Sequence, residues 1–409
     1  MPLDLILRQA RLAEAGKDLV DIGIAAGRIV EIAPRIAADG AAEELDGRLV
    51  IAGFVESHIH LDKSCILERC PEHGSLQDAI AAVAAAKRAF TEEDVYGRAR
   101  RTLEKAIVQG TTRMRTHVEA DPRVGLQGFN AVRQLKRDYA WAIDLQICVF
   151  PQEGLTNDPG AEELLIAACE QGADLIGGCP YTDTEPQTQI ARIFEMARRF
   201  DLDVDFHLDF DMDPSWMHLD DVCRQTHAHR WGGRVAVGHV TKLSALDHSG
   251  LAVVGRRLAD AGVAVTVLPA TDLFLMGREH ERHVPRGVAP AHRLLDHGVT
   301  CSLATNNVLN PFTPFGDCSL LRMANLYANV AHAGRAAELA ACFDMVTTLP
   351  ARLMNVADYG VGVGNPADLV VLDSRDPAMA VAELAQPLFG LKRGRRSFTR
   401  HAATIHHPG

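Results

Sequence analysis

The chain reads as an α/β protein: a (β/α)8 barrel with a small β-sandwich domain formed by both chain ends. Three observations lead there. Eight short apolar segments alternate with helix-period segments from residue 49 to about residue 350, the rhythm of a parallel barrel wrapped in helices. The two ends lack that rhythm and read as short alternating strands separated by turn residues. Histidines gather where the apolar segments stop, and the carboxyl ends of barrel strands are where such a fold collects its functional side chains. The expected divisions are 1–49 and 356–409 for the two parts of the small β domain, and 50–355 for the barrel.

Taken in order, the expected strands are 49–57, 111–118, 142–150, 174–178, 203–208, 234–239, 263–268 and 300–305. A helix starts after Thr91, a suitable N-cap ahead of Glu92, Glu93 and Asp94, and stops before Gly110. Two more amphipathic helices are expected at 185–200 and 251–261. Alternation alone also allows an open doubly wound sheet. No GxGxxG follows the first strand, however, so a dinucleotide fold has little support. At the ends, residues 4–33 alternate as short strands, and GNPADLVVLD (364–373) is turn followed by strand. These two stretches are expected to pair beside the barrel.

Composition narrows the function classes. The 409 residues carry a net charge of −11, which argues against a nucleic-acid surface, since phosphate binding needs clustered Lys and Arg. No apolar run is long enough to span a membrane, and the segment MPLDLILRQARL lacks the order of a signal peptide. The nine cysteines form no CxxC pair and read as reduced thiols, so the expected setting is the cytoplasm. A small-molecule substrate is the expected partner, with homo-oligomerisation left open.

The strand ends carry the chemistry. His58 and His60, in VESHIHLDKS, are two apart at the end of the first strand and so point to one side of it, offering two nitrogens to one metal ion. Later strand ends supply His117, then Gln152 in FPQEG, then His207, His239 and Thr305-Asn306-Asn307. A lone histidine on an apolar strand is usually a packing residue. Five at the ends of four strands form a pattern, unlike the scattered His227, His229, His292, His401 and His406.

The motifs HIHLDK, RTHVE, FPQEG, DFHLD, GHVTK and NPFTPFGD, in that order, resemble those of the amidohydrolase superfamily. The likeness is greatest to the branch that holds cytosine deaminase and N-isopropylammelide amidohydrolase. The resemblance implies that His58, His60 and His207 bind one divalent metal, zinc or iron, and that His239 polarises the reacting group. It implies that Gln152 contacts the edge of a planar heterocycle. His117, from the strand ends, and Phe312, in the apolar stretch PFTPF after the eighth strand, are further substrate-binding candidates. A coordinated water, acidified by the metal, would then attack a carbon bearing an amino group, giving the oxo product.

Two positions depart from the family pattern. Asn306 stands where the family has a metal-binding, proton-accepting aspartate, and Phe210 where cytosine deaminase has a glutamate that shuttles protons. An amide is no base near neutral pH. Three readings stay open. In the first, an active deaminase uses a rearranged shuttle through Asp209, two residues beyond His207, or through His239. In the second, the pocket is a metal-free heterocycle-binding module. In the third, a different chemistry recruits Lys63, Cys65 or Cys179.

Overall fold

A computed structural model describes residues 2–13, 18–71, 75–401 and 403–406. Eight parallel strands follow one another in sequence order: Phe54–Ile59, Thr111–Glu119, Asp144–Phe150, Leu175–Ile176, Asp203–Leu208, Val235–His239, Val263–Val267 and Cys301–Leu303. The sheet closes on itself just beyond the last strand. There Asn306 donates its amide N–H to the His58 carbonyl at 2.9 Å and accepts from the His60 amide at 2.9 Å. Below that seam the Ser57 and Ser302 hydroxyls meet at 2.8 Å. Helices pack around the outside, among them Glu92–Val108, Pro186–Phe200 and His248–Ala261. Thr91 caps the first of these, its side chain accepting from the Asp94 amide, as its placement ahead of three acidic residues implies.

The expected first strand, 49–57, is two strands. Leu49–Ile51 belongs to the end sheet, and Phe54–Ile59 opens the barrel. The break falls at Gly53, which has φ +80°; a Cβ there would lie 2.3 Å from Thr112 Cγ2. Only glycine turns this corner against the neighbouring strand. Because both segments are buried throughout, they read as one apolar run.

The end sheet joins both halves of the chain. Leu49–Ile51 lies between Leu5–Leu12 and Leu369–Leu372, with Leu19–Ala25, Arg28–Ala33 and Ala42–Glu44 on one side and Pro387–Lys392 and Arg395–Thr399 on the other. It has its own apolar cluster, including Leu7, Ile22, Ile24, Leu369, Val371 and Phe389. Each such side chain contributes roughly 1.5–3 kcal/mol on burial. The buried ammonium of Lys392 ties the sheet to the barrel through Asp144 (2.6 Å) and Asp368 (2.7 Å). No described helix is long and apolar enough to cross a membrane, and all nine cysteines carry free thiols.

Candidate active site

Three histidine rings meet at the strand ends. His58 and His60 leave the first barrel strand on one side, and His207 arrives from the fifth. Nε2 of His207 lies 3.1 Å from Nε2 of His58 and 3.0 Å from Nε2 of His60. The rings are almost wholly buried. Burial first, and then the neighbouring rings, push all three far below the usual imidazole value, with Lys63 adding to the effect at His60 and His207. The rings are therefore neutral.

A neutral imidazole offers one lone pair, so His207 Nε2 cannot satisfy both neighbours as hydrogen-bond donors. The Nδ1 atoms of all three rings are buried without a hydrogen-bond partner, as is Oδ1 of Asn306. Convergent imidazole nitrogens in a dry setting form a donor set suited to a divalent transition metal. The residues present fit such an ion. Gly238 leaves space for this arrangement, since a Cβ there would approach the His58 ring to 3.1 Å.

His239 lies beside this cluster, with its ring centroid 5.8 Å from that of His207. Its Nδ1 is 2.6 Å from Oδ1 of Asp272, a fully buried carboxylate whose other oxygen accepts from the Leu268 amide at 3.1 Å. The contact assigns the proton to Nδ1 and leaves Nε2 as the open nitrogen. Phe210 stacks on the His239 ring at 3.9 Å and also lines a cavity of about 410 Å3 with Leu76, Met212, Leu275 and Met276. His239 and Val240 have φ of +70° and +43°. Two consecutive non-glycine residues in the left-handed region, one of them β-branched, mark a strained turn that aims the imidazole.

Opposite the histidines, Lys63 Nζ donates to Glu119 Oε1 at 2.7 Å and to Gln152 Oε1 at 2.8 Å. Gln152 Nε2 in turn donates to Cys179 Sγ at 3.3 Å. Phe312 packs over the Lys63 ammonium, 4.9 Å from it. Glu119 also receives Lys87 at 2.8 Å, and Lys87 is further bonded to Asp121 and Glu153. Burial pushes the Glu119 carboxyl up, but the two ammonium groups outweigh it and hold it down to about 2. The Cys179 thiol is pushed up to about 12 by burial, so it stays protonated and is no nucleophile at neutral pH.

The fold gathers His58, His60, His207, His239, Gln152 and Asn306 at one end of the barrel, with Phe312 above Lys63. One expectation needs correction. Asp209 was expected to continue the fifth strand toward the histidines, but its φ is +50° and the chain turns there. Its carboxylate accepts from the amides of His218 (2.9 Å) and Leu219 (3.0 Å), capping the helix Leu219–His229. His117, another substrate-binding candidate, is fully buried, as is the His58 ring. It stacks on His58 at 3.8 Å with Nε2 3.5 Å from Asp205 Oδ1, so it backs the His58 ring.

Several residues escaped the sequence reading. Asp272 follows the seventh strand in PATD, so a census of strand ends carried through that strand would have reached it. Glu56 is buried and bonds the amides of His58 (3.2 Å) and Thr305 (3.1 Å), clamping the barrel seam. Tyr181, in CPYT after the fourth strand, places its hydroxyl beside Gln152 and Cys179.

The family profile Amidohydro_3, described as the amidohydrolase family, matches residues 42–143 and 146–396. N-isopropylammelide isopropyl amidohydrolase of Pseudomonas sp. (strain ADP) is 28% identical over 96% of this chain and 96% of its own length. Pterin deaminase of Rhizobium rhizogenes (strain K84 / ATCC BAA-868) is 30% identical over 87% of this chain and 82% of its own length. The crystal structure of 5-methylcytosine deaminase from Klebsiella pneumoniae, liganded with 5-fluorocytosine, superposes with a TM-score of 0.93 at 30% identity, covering 98% of this chain and 99% of that one. With a barrel, a histidine cluster at its strand ends and a family match running through both, the chain belongs to the amidohydrolase family.

Proposed function

We propose that the protein is a metal-dependent hydrolase that removes an amino or substituted amino group from a small nitrogen heterocycle. The observation that carries this reading is the meeting of three neutral rings, with His207 Nε2 3.0–3.1 Å from the Nε2 atoms of His58 and His60, beside the His239–Asp272 pair. Relatives named for deaminating a pterin and a methylcytosine, or for hydrolysing N-isopropylammelide, support the substrate class.

His58, His60 and His207 would hold one divalent ion, zinc or iron, which when bound supplies the Lewis acidity that activates water and the ring carbon. The remaining work falls to the chain's own groups. Asp272 keeps the proton of His239 on Nδ1, so Nε2 takes a proton from the attacking water and returns it to the departing amine. Phe210 covers His239 and limits stray water. Lys63 and Gln152 hold the far edge of the ring. Asn306 cannot accept the proton; its buried, unpartnered oxygen serves as a neutral ligand or acceptor. The altered shuttle is thus His239 with Asp272, and Asp209 stays a helix cap.

The test is release of ammonium or amine from a panel of amino-pyrimidines, amino-triazines and amino-pterins by protein loaded with zinc or iron. Release from at least one ring, abolished by a chelator and restored by the ion, is expected. A metal-loaded protein that binds rings but releases nothing from any of them favours the binding-module reading instead.

A further inference from the structure

The cavity of about 410 Å3 beside Phe210 has no part in the chemistry described so far. Its floor is buried and apolar, formed by Phe210, Leu275 and Met276. Leu76 and Met212, both half-buried, form its walls, and the exposed Asp211 and Arg278 stand at its mouth. The cavity therefore grades from dry apolar surface at Phe210 to a charged rim in solvent. Its volume falls among the roughly 300–1,000 Å3 of pockets that hold small organic ligands, whose linings are likewise mostly apolar.

Phe210 faces both the cavity and the histidines. Its ring stacks on that of His239 at 3.9 Å. It also belongs to one apolar cluster with Leu275, Met276 and Phe312, the residue over Lys63. Apolar surface is thus continuous from the histidine site to the cavity. In the proposed reaction His239 returns a proton to the departing amine, so that nitrogen lies within hydrogen-bond reach of the His239 ring. A group carried on the nitrogen meets the Phe210 ring next. The phenyl side chain has no hydrogen-bonding atom. It can turn toward the cavity without breaking a polar contact.

We propose that the cavity beyond Phe210 receives a bulky apolar group carried on the ring's amine nitrogen. The preferred substrates are then heterocycles bearing an N-butyl, N-benzyl or similar amine, and Phe210 is a specificity-determining residue. The proposal rests on the heterocycle-hydrolase reading above. Hydrolysis breaks the bond between the ring carbon and the nitrogen, and the water oxygen bonds that carbon. One water proton leaves on the nitrogen and the other stays with the oxo product, so the substituent departs as a primary amine. A group too short to pass Phe210 gains nothing from the cavity, whereas each carbon buried beyond it adds to binding.

Cytosines substituted on the exocyclic nitrogen with methyl, butyl or benzyl groups test this, because they share one ring and one type of leaving amine. On the zinc-loaded protein, kcat/KM for amine release and affinity by calorimetry should both rise in that order. The benzyl compound should exceed the methyl compound by roughly 10–100-fold. Leu275→Trp, which fills the cavity from its floor, should bring that ratio close to one. Should Leu275→Trp not fold, Met212→Trp, on the half-buried wall, should do the same. No rise along the series in the unaltered protein overturns the proposal, and so does an equal loss for methyl and benzyl compounds in the filled variants. If affinity rises along the series and no ring releases amine, the proposed function fails and the cavity keeps this assignment. If amine is released with equal kcat/KM and affinity across the series, the proposed function stands and this inference fails.

Discussion

His58, His60 and His207 bring three ligand atoms within 4.8 Å of one another, and so do Glu119, Asp121 and Glu153. The second cluster already contains a cation. Lys87 Nζ contacts all three carboxylates, and Arg123 reaches Asp121 at 2.7 Å. The histidine cluster holds only neutral rings and orphaned nitrogens. Spacing is thus common to both, and the state of the lone pairs separates them. Where an ammonium occupies the cage, the cluster is a brace between the loops that follow the first three barrel strands. Where no ammonium or guanidinium among the described residues fills the space between the nitrogens, the cluster is a candidate metal site.

The largest effect expected on the histidine side comes from the proton path. Asp272→Asn should lower turnover by roughly 10²–10⁴-fold, since it removes the group that keeps His239 in the correct tautomer. Asp209→Asn should leave turnover nearly unchanged, because that carboxylate caps a helix. Steady-state rates on whichever ring is hydrolysed decide the point. The reverse ranking would return the base role to Asp209.

The brace should fail differently. Glu119→Gln breaks buried pairs with two lysines and is expected to cost about 3–5 kcal/mol of stability at pH 7, read by urea unfolding. Its pH dependence follows from the carboxyl being held down to about 2 from the ordinary 4.5. The folded state binds fewer protons than the unfolded one in that window, so stability rises with pH there and is complete above it. The deficit of Glu119→Gln should therefore be full at neutral pH and shrink as the pH falls toward 3. A deficit that does not vary with pH would mean that the ion pairs add little to the fold.

A smaller effect is expected where the two sides meet the substrate. Gln152→Ala should weaken ring binding by about 1–3 kcal/mol, the cost of a partner left unpaired. Calorimetry showing unchanged affinity would assign Gln152 to the brace.

The sequence made the histidine side more legible than the brace. Apolar runs that stop at His58, His60, His207 and His239 reveal strand ends directly, because residues two apart share a side. The bend at Gly53 was also open to reading, as a glycine inside an apolar run. Asp209 misled because φ of +50° at a non-glycine residue leaves no trace in the sequence. Asp272 and Lys87 were missed for another reason. Their partners lie 33 and 32 residues away and meet only once the loops are in place.

Elemental analysis of chelator-free protein, side by side for the unaltered chain, His207→Ala and Glu119→Gln, tests the central claim most directly. The account expects one zinc or iron per chain in the unaltered protein, almost none in His207→Ala, and an unchanged content in whatever Glu119→Gln remains folded. Metal retained by His207→Ala and lost from folded Glu119→Gln would place the ion in the carboxylate cage and contradict the account.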